Sequence, residues 1–264
     1  MVRKNWTRKE LMIAFNLYCK IPFSKINSHH KLVQELASLI DRTPSAVAWK
    51  LVNFASLDPT LQARNIKGAS HSSKLDKVIF DEFYQNWEKM IYESEIILQN
   101  LRNNAFDSDN TLNQAEVNEL DNFVYSEKKG LTVERTIKAR INQNFFREMI
   151  LSSYENKCCF TGIEIDTLLI ASHIVPWAKD EKNRLNPENG LCLNCLHDKA
   201  FDKGLITIDF NYTIKVSKYL QELEKNPSIQ KFFLEYDKKP MILPNRFLPN
   251  KDFLDYHHQH IFKG

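Results

Sequence analysis

The chain has 264 residues, a formal net charge of +3, 26% charged and 43% hydrophobic residues, the balance of a water-soluble protein with room for one large core or two small ones. No apolar run approaches the length needed to span a bilayer, and the basic start MVRKNWTRKE has no apolar stretch behind it, so neither a membrane span nor a signal peptide is expected. Five cysteines, odd in number and unevenly spread, suit a reducing cytoplasm rather than a disulfide framework, and only 6 glycines argue against a turn-rich β fold.

The modest net charge hides an asymmetry. Residues 1–80 hold thirteen Lys/Arg against five Asp/Glu, whereas residues 106–130 hold six acidic residues against two lysines. A basic first third suits a polyanionic partner, and a merely solvated basic surface fits the charge equally well. Within it three helices are expected. Thr7 and Glu10 have capping-box spacing and open a helix to about Lys20, with Leu11, Ala14, Phe15 and Tyr18 on one face. A second runs from about His29 to Ile40 on a stripe of Leu32, Val33, Leu36 and Leu39. The third opens at Thr43-Pro44, an N-cap followed by the residue favoured at the first helical position.

Three short helices in this order resemble a helix-turn-helix unit, whose last helix lies in the major groove. On that reading Val47 and Leu51 face the core, and Arg42, Ser45, Trp49, Lys50 and Asn53 are left to meet double-stranded DNA. A helical support that never touches nucleic acid is the competing reading. Residues 56–73 read as a loop, either a plain linker or one that brings Arg64 and Lys67 to phosphates. Ser73 and Asp76 then open a long helix to about Arg102, carrying Leu75, Val78, Ile79, Phe83, Trp87, Met90, Ile91, Ile97, Leu98 and Leu101 as a core stripe or dimer seam. Residues 105–134 read as an acidic linker, or as one holding a short helix around Ala115–Phe123, between a helical domain, 1–104, and a second domain, 135–264. A helix from about Ile141 to Tyr154 opens that second domain. The expected fold is mainly α with a small α+β part.

The chemistry is concentrated in residues 158–209. An apolar strand, Leu168–Ile174, ends in Ser172-His173; a polar loop leads to Asn189-Gly190; a short helix capped by Asn194 carries His197. The segment reads Ala171-Ser172-His173-Ile174, Pro176-Trp177, Asn186, Asn189-Gly190-Leu191, His197-Asp198, Phe201-Asp202 and Gly204-Leu205-Ile206, after Cys159-x-Thr161-Gly162. This pattern resembles the HNH nucleases of the ββα-metal (His-Me finger) group, most of all a restriction-endonuclease-like subgroup reading ASHI-x-PW and NGLCLN-x-LHD-x-AFD-x-GLI.

The resemblance implies a metal-dependent DNA endonuclease, acting in restriction or defence. It makes His173 the general base, Asn189 the amide that orients it, and His197 a metal ligand. Asp202 is the second candidate ligand, with Asp198 behind it, and the two imidazoles are expected to converge on one phosphate with a cation between them. Mg²⁺ or Mn²⁺ suits such oxygen ligands. Many HNH enzymes carry a metal-binding Asp or His just before the base; Ser172 stands there instead, as it does in the subgroup. Cys192-x-x-Cys195 has zinc-ligand spacing, but the adjacent Cys158-Cys159 would make a poor second pair, so structural Zn²⁺ is the lesser reading. Arg184, Lys199 and Lys203 flank the site as phosphate-binding candidates. Cutting both strands implies a homodimer. The rival functions are a DNA-binding protein with a degenerate, inactive finger, and a nuclease gated by a signal sensed in the N-terminal part. The tail, with Phe253-Leu254 and His257, resembles a closing segment that packs back on the finger, and the cluster His257, His258, His260 reads as docking and surface rather than a metal site.

Overall fold

Helix α1 (Arg8–Lys20) is the axis of the molecule in the computed structural model, which describes residues 5–64, 72–108 and 131–264. Its start is the expected box: Thr7 Oγ1 accepts the Glu10 N–H, and the Glu10 carboxylate accepts the Thr7 N–H. Leu11, Ala14, Phe15 and Tyr18 are fully buried, but so are Ile13 and Cys19 on other faces. The helix is buried nearly all round because α3 (Pro44–Ala55), α5 (Lys74–Gln85), α6 (Trp87–Ser108) and α7 (Leu131–Ser153) pack about it. The Phe15 ring alone meets Phe54, Phe80 and Phe83 at centroid distances of 5.0, 5.5 and 4.5 Å.

Helix α2 (Lys31–Leu39) and α3 form where expected, α3 with Thr43 accepting the Ala46 N–H and Pro44 at its first turn. Two expectations are corrected. The stretch read as a loop contains α4 (Pro59–Ala63), whose Asp58 accepts the Thr60 N–H ahead of Pro59, the same cap-then-proline signature that opens α3. The long helix from Ser73 is two helices, because Asn86 leaves the helical conformation and its Oδ1 accepts the Lys89 N–H, capping α6. Of the stripe on α5, Ile79 and Phe83 are buried, while Leu75 and Val78 stay exposed.

Most of the acidic linker, and Lys67 with it, lies outside the described residues. Its ends are helical, since α6 runs to Ser108 and α7 starts at Leu131. The parts on either side share one core. Ser152 Oγ donates to the Cys19 carbonyl at 2.6 Å. Arg246, fully buried, donates to the Tyr18 and Ile21 carbonyls at the C-terminal end of α1 and to Ser152 Oγ. Trp87 meets the ring of Phe247 edge-on at 5.8 Å.

The α+β part sits against α7. Strand β1 (Leu169–His173) pairs antiparallel with β2 (Gly190–Asn194), with His173 opposite Gly190. Helix α8 (Cys195–Asp202) follows β2 at once, capped by Asn194, and β3 (Ile206–Ile208) and β4 (Ile214–Val216) form a separate hairpin. Two short helices, α9 (Lys218–Glu222) and α10 (Pro227–Phe232), precede the last, α11 (Lys251–His260). The molecule is therefore mainly α with a small α+β part. No helix among the described residues is long and apolar enough to cross a membrane.

The tail does pack back on the finger, through His257, whereas His258 and His260 are exposed. The His257 ring stacks on Phe201 at 3.6 Å; its Nε2–H donates to the Phe201 carbonyl, and its Nδ1 accepts the Thr207 hydroxyl. Burial drives this histidine down to about 4, against the pull of the Phe201 carbonyl. An unfolded chain takes up a proton near pH ~6.5 that the folded chain refuses. Stability should therefore fall as the pH drops from there to about 4, by roughly 3 kcal/mol over the window. Urea midpoints at pH 7 and pH 5 should separate more for the parent than for His257→Phe, which keeps the stack and removes the titration; equal shifts would refute the assignment.

Candidate active site

His173 ends β1, where the ladder fixes its backbone and α7 supplies a floor for its ring. The imidazole lies flat on Phe146, with centroids 4.3 Å apart and an interplanar angle of 8°, and meets Trp177 edge-on at 5.4 Å. Nε2 is 2.8 Å from the Arg184 carbonyl. A carbonyl only accepts, so in the neutral ring Nε2 carries the proton and Nδ1 keeps its lone pair. Burial pushes this histidine below its ordinary value, opposed by the Arg184 carbonyl and by the charge of Asp202. The ring is thus a fixed, half-buried, neutral base at pH 7.

Asn189 is buried and holds the loop that carries the Arg184 carbonyl. Its Oδ1 accepts the Val175 N–H at 2.8 Å, and its Nδ2 donates to the Val175 and Asn183 carbonyls, both at 3.2 Å. Its own carbonyl accepts the Ile174 N–H. The amide therefore ties the chain just after His173 to the chain just before Arg184, the two segments that set the imidazole's position and its tautomer. Arg184 itself is occupied: Nε donates to the Trp177 carbonyl, and the guanidinium pairs with Glu181 at 2.9 Å.

His197 does not join His173. Asn194 Oδ1 receives the His197 N–H and stands 3.1 Å from its Nδ1, while Nε2 lies 2.8 Å from the Phe232 carbonyl. The ring is 2% exposed and lies among Phe160, Phe233 and Tyr236. Its neighbour is Cys158: burial raises that thiol, but hydrogen bonds from His197, Thr161 and nearby main-chain amides bring it down to about 7. Both ring nitrogens thus face partners in the interior of the finger, and no ring contact between His197 and His173 is formed among the described residues.

One residue further along α8 the helix turns a different face outward. Asp198 and Asp202 are four apart and share that face. Asp202 acts electrostatically on His173, and Asp198 is next to Ser172. Burial raises Asp198, and the charge of Asp202 raises it further, against the Ser172 hydroxyl and Lys199. Ser172 Oγ is buried and makes no hydrogen bond of ordinary geometry among the described residues. Two carboxylates on one helix face, with the Ser172 hydroxyl against Asp198, fit a hard divalent cation, and Mg²⁺ commonly takes one or two carboxylates and completes its shell with water and phosphate. No group of three or more His, Cys, Asp or Glu among the described residues is placed to hold an ion on its own. Cys192 is buried while Cys195 is exposed, its thiol on the Leu168 carbonyl, so this pair does not face one centre.

Two contributors escaped the sequence reading. Phe146 was legible only as core. Gly190 read as a turn residue, yet a Cβ there would stand 2.3 Å from Ile150 Cδ1 and 3.0 Å from Phe146 Cζ. Glycine is what lets α7, and the ring under His173, come this close to β2.

The N-terminal candidates are dispersed. Ser45 and Trp49 are exposed on α3, and Asn53 is half-buried. Arg42 is not free: its guanidinium pairs with Glu10 at 3.0 Å and lies over the Trp6 ring at 4.1 Å. Lys50 is 6% exposed, with Nζ 2.9 Å from both Asp76 oxygens. Both cations are engaged in ion pairs within the fold, and helical spacing puts Lys50 three after Val47, on the core side of α3. Arg64 donates to the main chain and side chain of Asn245.

Residues 158–209 match the family model of the HNH endonucleases, about a fifth of the chain. No curated protein matches the chain significantly.

Proposed function

Residues 158–209 being an HNH endonuclease finger, we propose that the chain is a metal-dependent DNA endonuclease with His173 as its general base. The observation that carries this is the His173 imidazole: flat on Phe146, with Nε2 on the Arg184 carbonyl, Nδ1 left with its lone pair, and Asp202 close enough to act on it. Water attacks phosphorus and gives its proton to Nδ1 of His173 as the new P–O bond forms. The P–O3′ bond then breaks, and the departing 3′ oxygen takes a proton from solvent water, leaving a 5′-phosphate and a 3′-hydroxyl. Asn189 and the Phe146 stack position the base. Asp202 and Asp198 are the side chains that would hold Mg²⁺ or Mn²⁺, which when bound supplies neutralisation of charge on the pentacovalent state and the leaving oxygen. Lys199 on α8 and Lys203 at its C-cap, both exposed, are cations available to flanking phosphates.

Double-stranded DNA is the proposed substrate, restriction or defence in the cytoplasm the proposed role, and a homodimer the proposed assembly, since each chain carries one cleavage centre. The basic excess in residues 1–80 supports DNA binding by the helical part. Supercoiled plasmid incubated with the protein and Mg²⁺ or Mn²⁺ should be nicked and then linearised.

A second reading has its own support. The interior placement of the His197 ring, with Ser172 ahead of the base, favours a finger that binds DNA without cutting it. Retarded DNA in a gel, no cleavage with any divalent ion, and no bound metal would establish that reading instead.

A further inference from the structure

The face of α3 that should have presented cations to DNA is instead a hollow. Trp6, Arg42, Trp49, Lys50, Asn53 and Leu75 line a hollow of about 880 Å³ that is open to solvent, within the size range of small-molecule pockets. Its floor is electrically spent, since Arg42 pairs with Glu10, Lys50 with Asp76, and both cations lie over the Trp6 ring. Such a floor offers a phosphate little.

The walls offer something else. Trp49 is 64% exposed and has no ring partner among the described residues. Leu75, 36% exposed, faces the same hollow. The Asn53 carboxamide makes no side-chain hydrogen bond among the described residues, and it stands one helical turn from Trp49 on the same element. An uncovered aromatic face, an idle amide and a neutralised floor suit a planar, uncharged heteroaromatic ring with hydrogen-bonding edges. Lys74, exposed and without an ion pair among the described residues, stands in the chain between the lining residues Ser73 and Leu75, and the segment as a whole is basic.

We propose that this cavity receives a single nucleobase displaced from the stack of bound DNA, with Trp49 as its platform and Asn53 at its edge. The inference rests on the reading of the chain as a DNA-binding nuclease and names which feature of DNA the helical part selects: a duplex with an unpaired or easily unpaired base. A base already unpaired spares the cost of opening the helix, and stacking on an aromatic ring strengthens binding substantially for every base type.

The test is fluorescence anisotropy with the full chain, in EDTA so that no strand is cut. A labelled duplex with one bulged thymine is compared with the same duplex fully paired. The bulged duplex should bind about tenfold tighter, Trp49→Ala should remove that preference, and Trp49→Phe should keep most of it. Equal affinities for the two duplexes would overturn the pocket while leaving DNA binding standing. So would a Trp49→Ala loss that falls equally on both, or a preference that survives the substitution. Failure of the parent to bind either duplex would instead sink the DNA reading beneath it.

Discussion

Substituting His173 by alanine should slow phosphodiester cleavage by roughly 10²- to 10⁴-fold, the range supplied by a positioned general base. The loss should be in the chemical step, because the ring touches protein on three sides and presents only Nδ1 outward: Phe146 beneath, Trp177 at the edge, the Arg184 carbonyl on Nε2. Single-turnover cleavage of an end-labelled duplex separates this from weaker binding, since the binding isotherm should be nearly unchanged. The pH profile gives an independent check. A base works only when unprotonated, and burial holds His173 below its ordinary value. The acid limb of the rate should therefore lie below pH ~6.5, with a flat profile through neutrality. A limb above that value, or undiminished cutting by His173→Ala, would remove the assignment.

The second large effect is on stability. Arg246→Leu should cost about 3–5 kcal/mol, the scale of breaking a buried charge arrangement by removing one partner. Arg246 reaches back across more than two hundred residues to close the end of α1, donating to the Tyr18 and Ile21 carbonyls that no further helical turn can satisfy. It also lies over the Tyr18 ring at 4.5 Å, and Tyr18 donates to Asp58 at 3.1 Å. Burial raises Asp58, while the Thr60 N–H and the charge of Arg246 hold it down. Without the arginine, Asp58 should be raised further, so the folded variant keeps a proton that the unfolded chain gives up. The deficit should deepen as the pH rises from acidic to neutral. Urea unfolding at pH 5 and pH 7 measures both the size and the sign. A loss under 1 kcal/mol, or one independent of pH, would contradict this account of the junction.

What could be read in advance was local. Thr7 with Glu10, and Thr43 with Pro44, open helices by chemistry contained within four residues, and both helices are where that chemistry puts them. The apolar run before His173 fixed a strand, because side-chain alternation and a following polar loop leave little choice. The same local chemistry operates at Asp58-Pro59 and at Asn86, but a five-residue helix and a one-residue break leave only faint patterns in the sequence.

What could not be read was which charge meets which. Lys50 and Arg42 look like free cations in the chain and become buried pairs only because Asp76 and Glu10 arrive from elsewhere in the fold. The direction of His197 was hidden for a related reason. Neighbouring positions on a helix point about 100° apart, so the motif His197-Asp198 cannot say which of the two looks at His173; the interior partners Phe232 and Asn194 decide it. Gly190 shows the same limit, its necessity set by Ile150 and Phe146 on a helix forty residues earlier.

On the proposed function the cleavage centre is built by His173 with the carboxylates of α8, while His197 holds the finger together from its interior side. Isothermal titration of Mn²⁺ into the parent, Asp202→Asn and His197→Gln, each first shown folded by its thermal melt, tests it most directly. Asp202→Asn should weaken Mn²⁺ binding by about tenfold or more, and His197→Gln should melt earlier but bind Mn²⁺ as the parent does. A folded His197→Gln that no longer binds Mn²⁺, beside an Asp202→Asn that still does, would contradict the account.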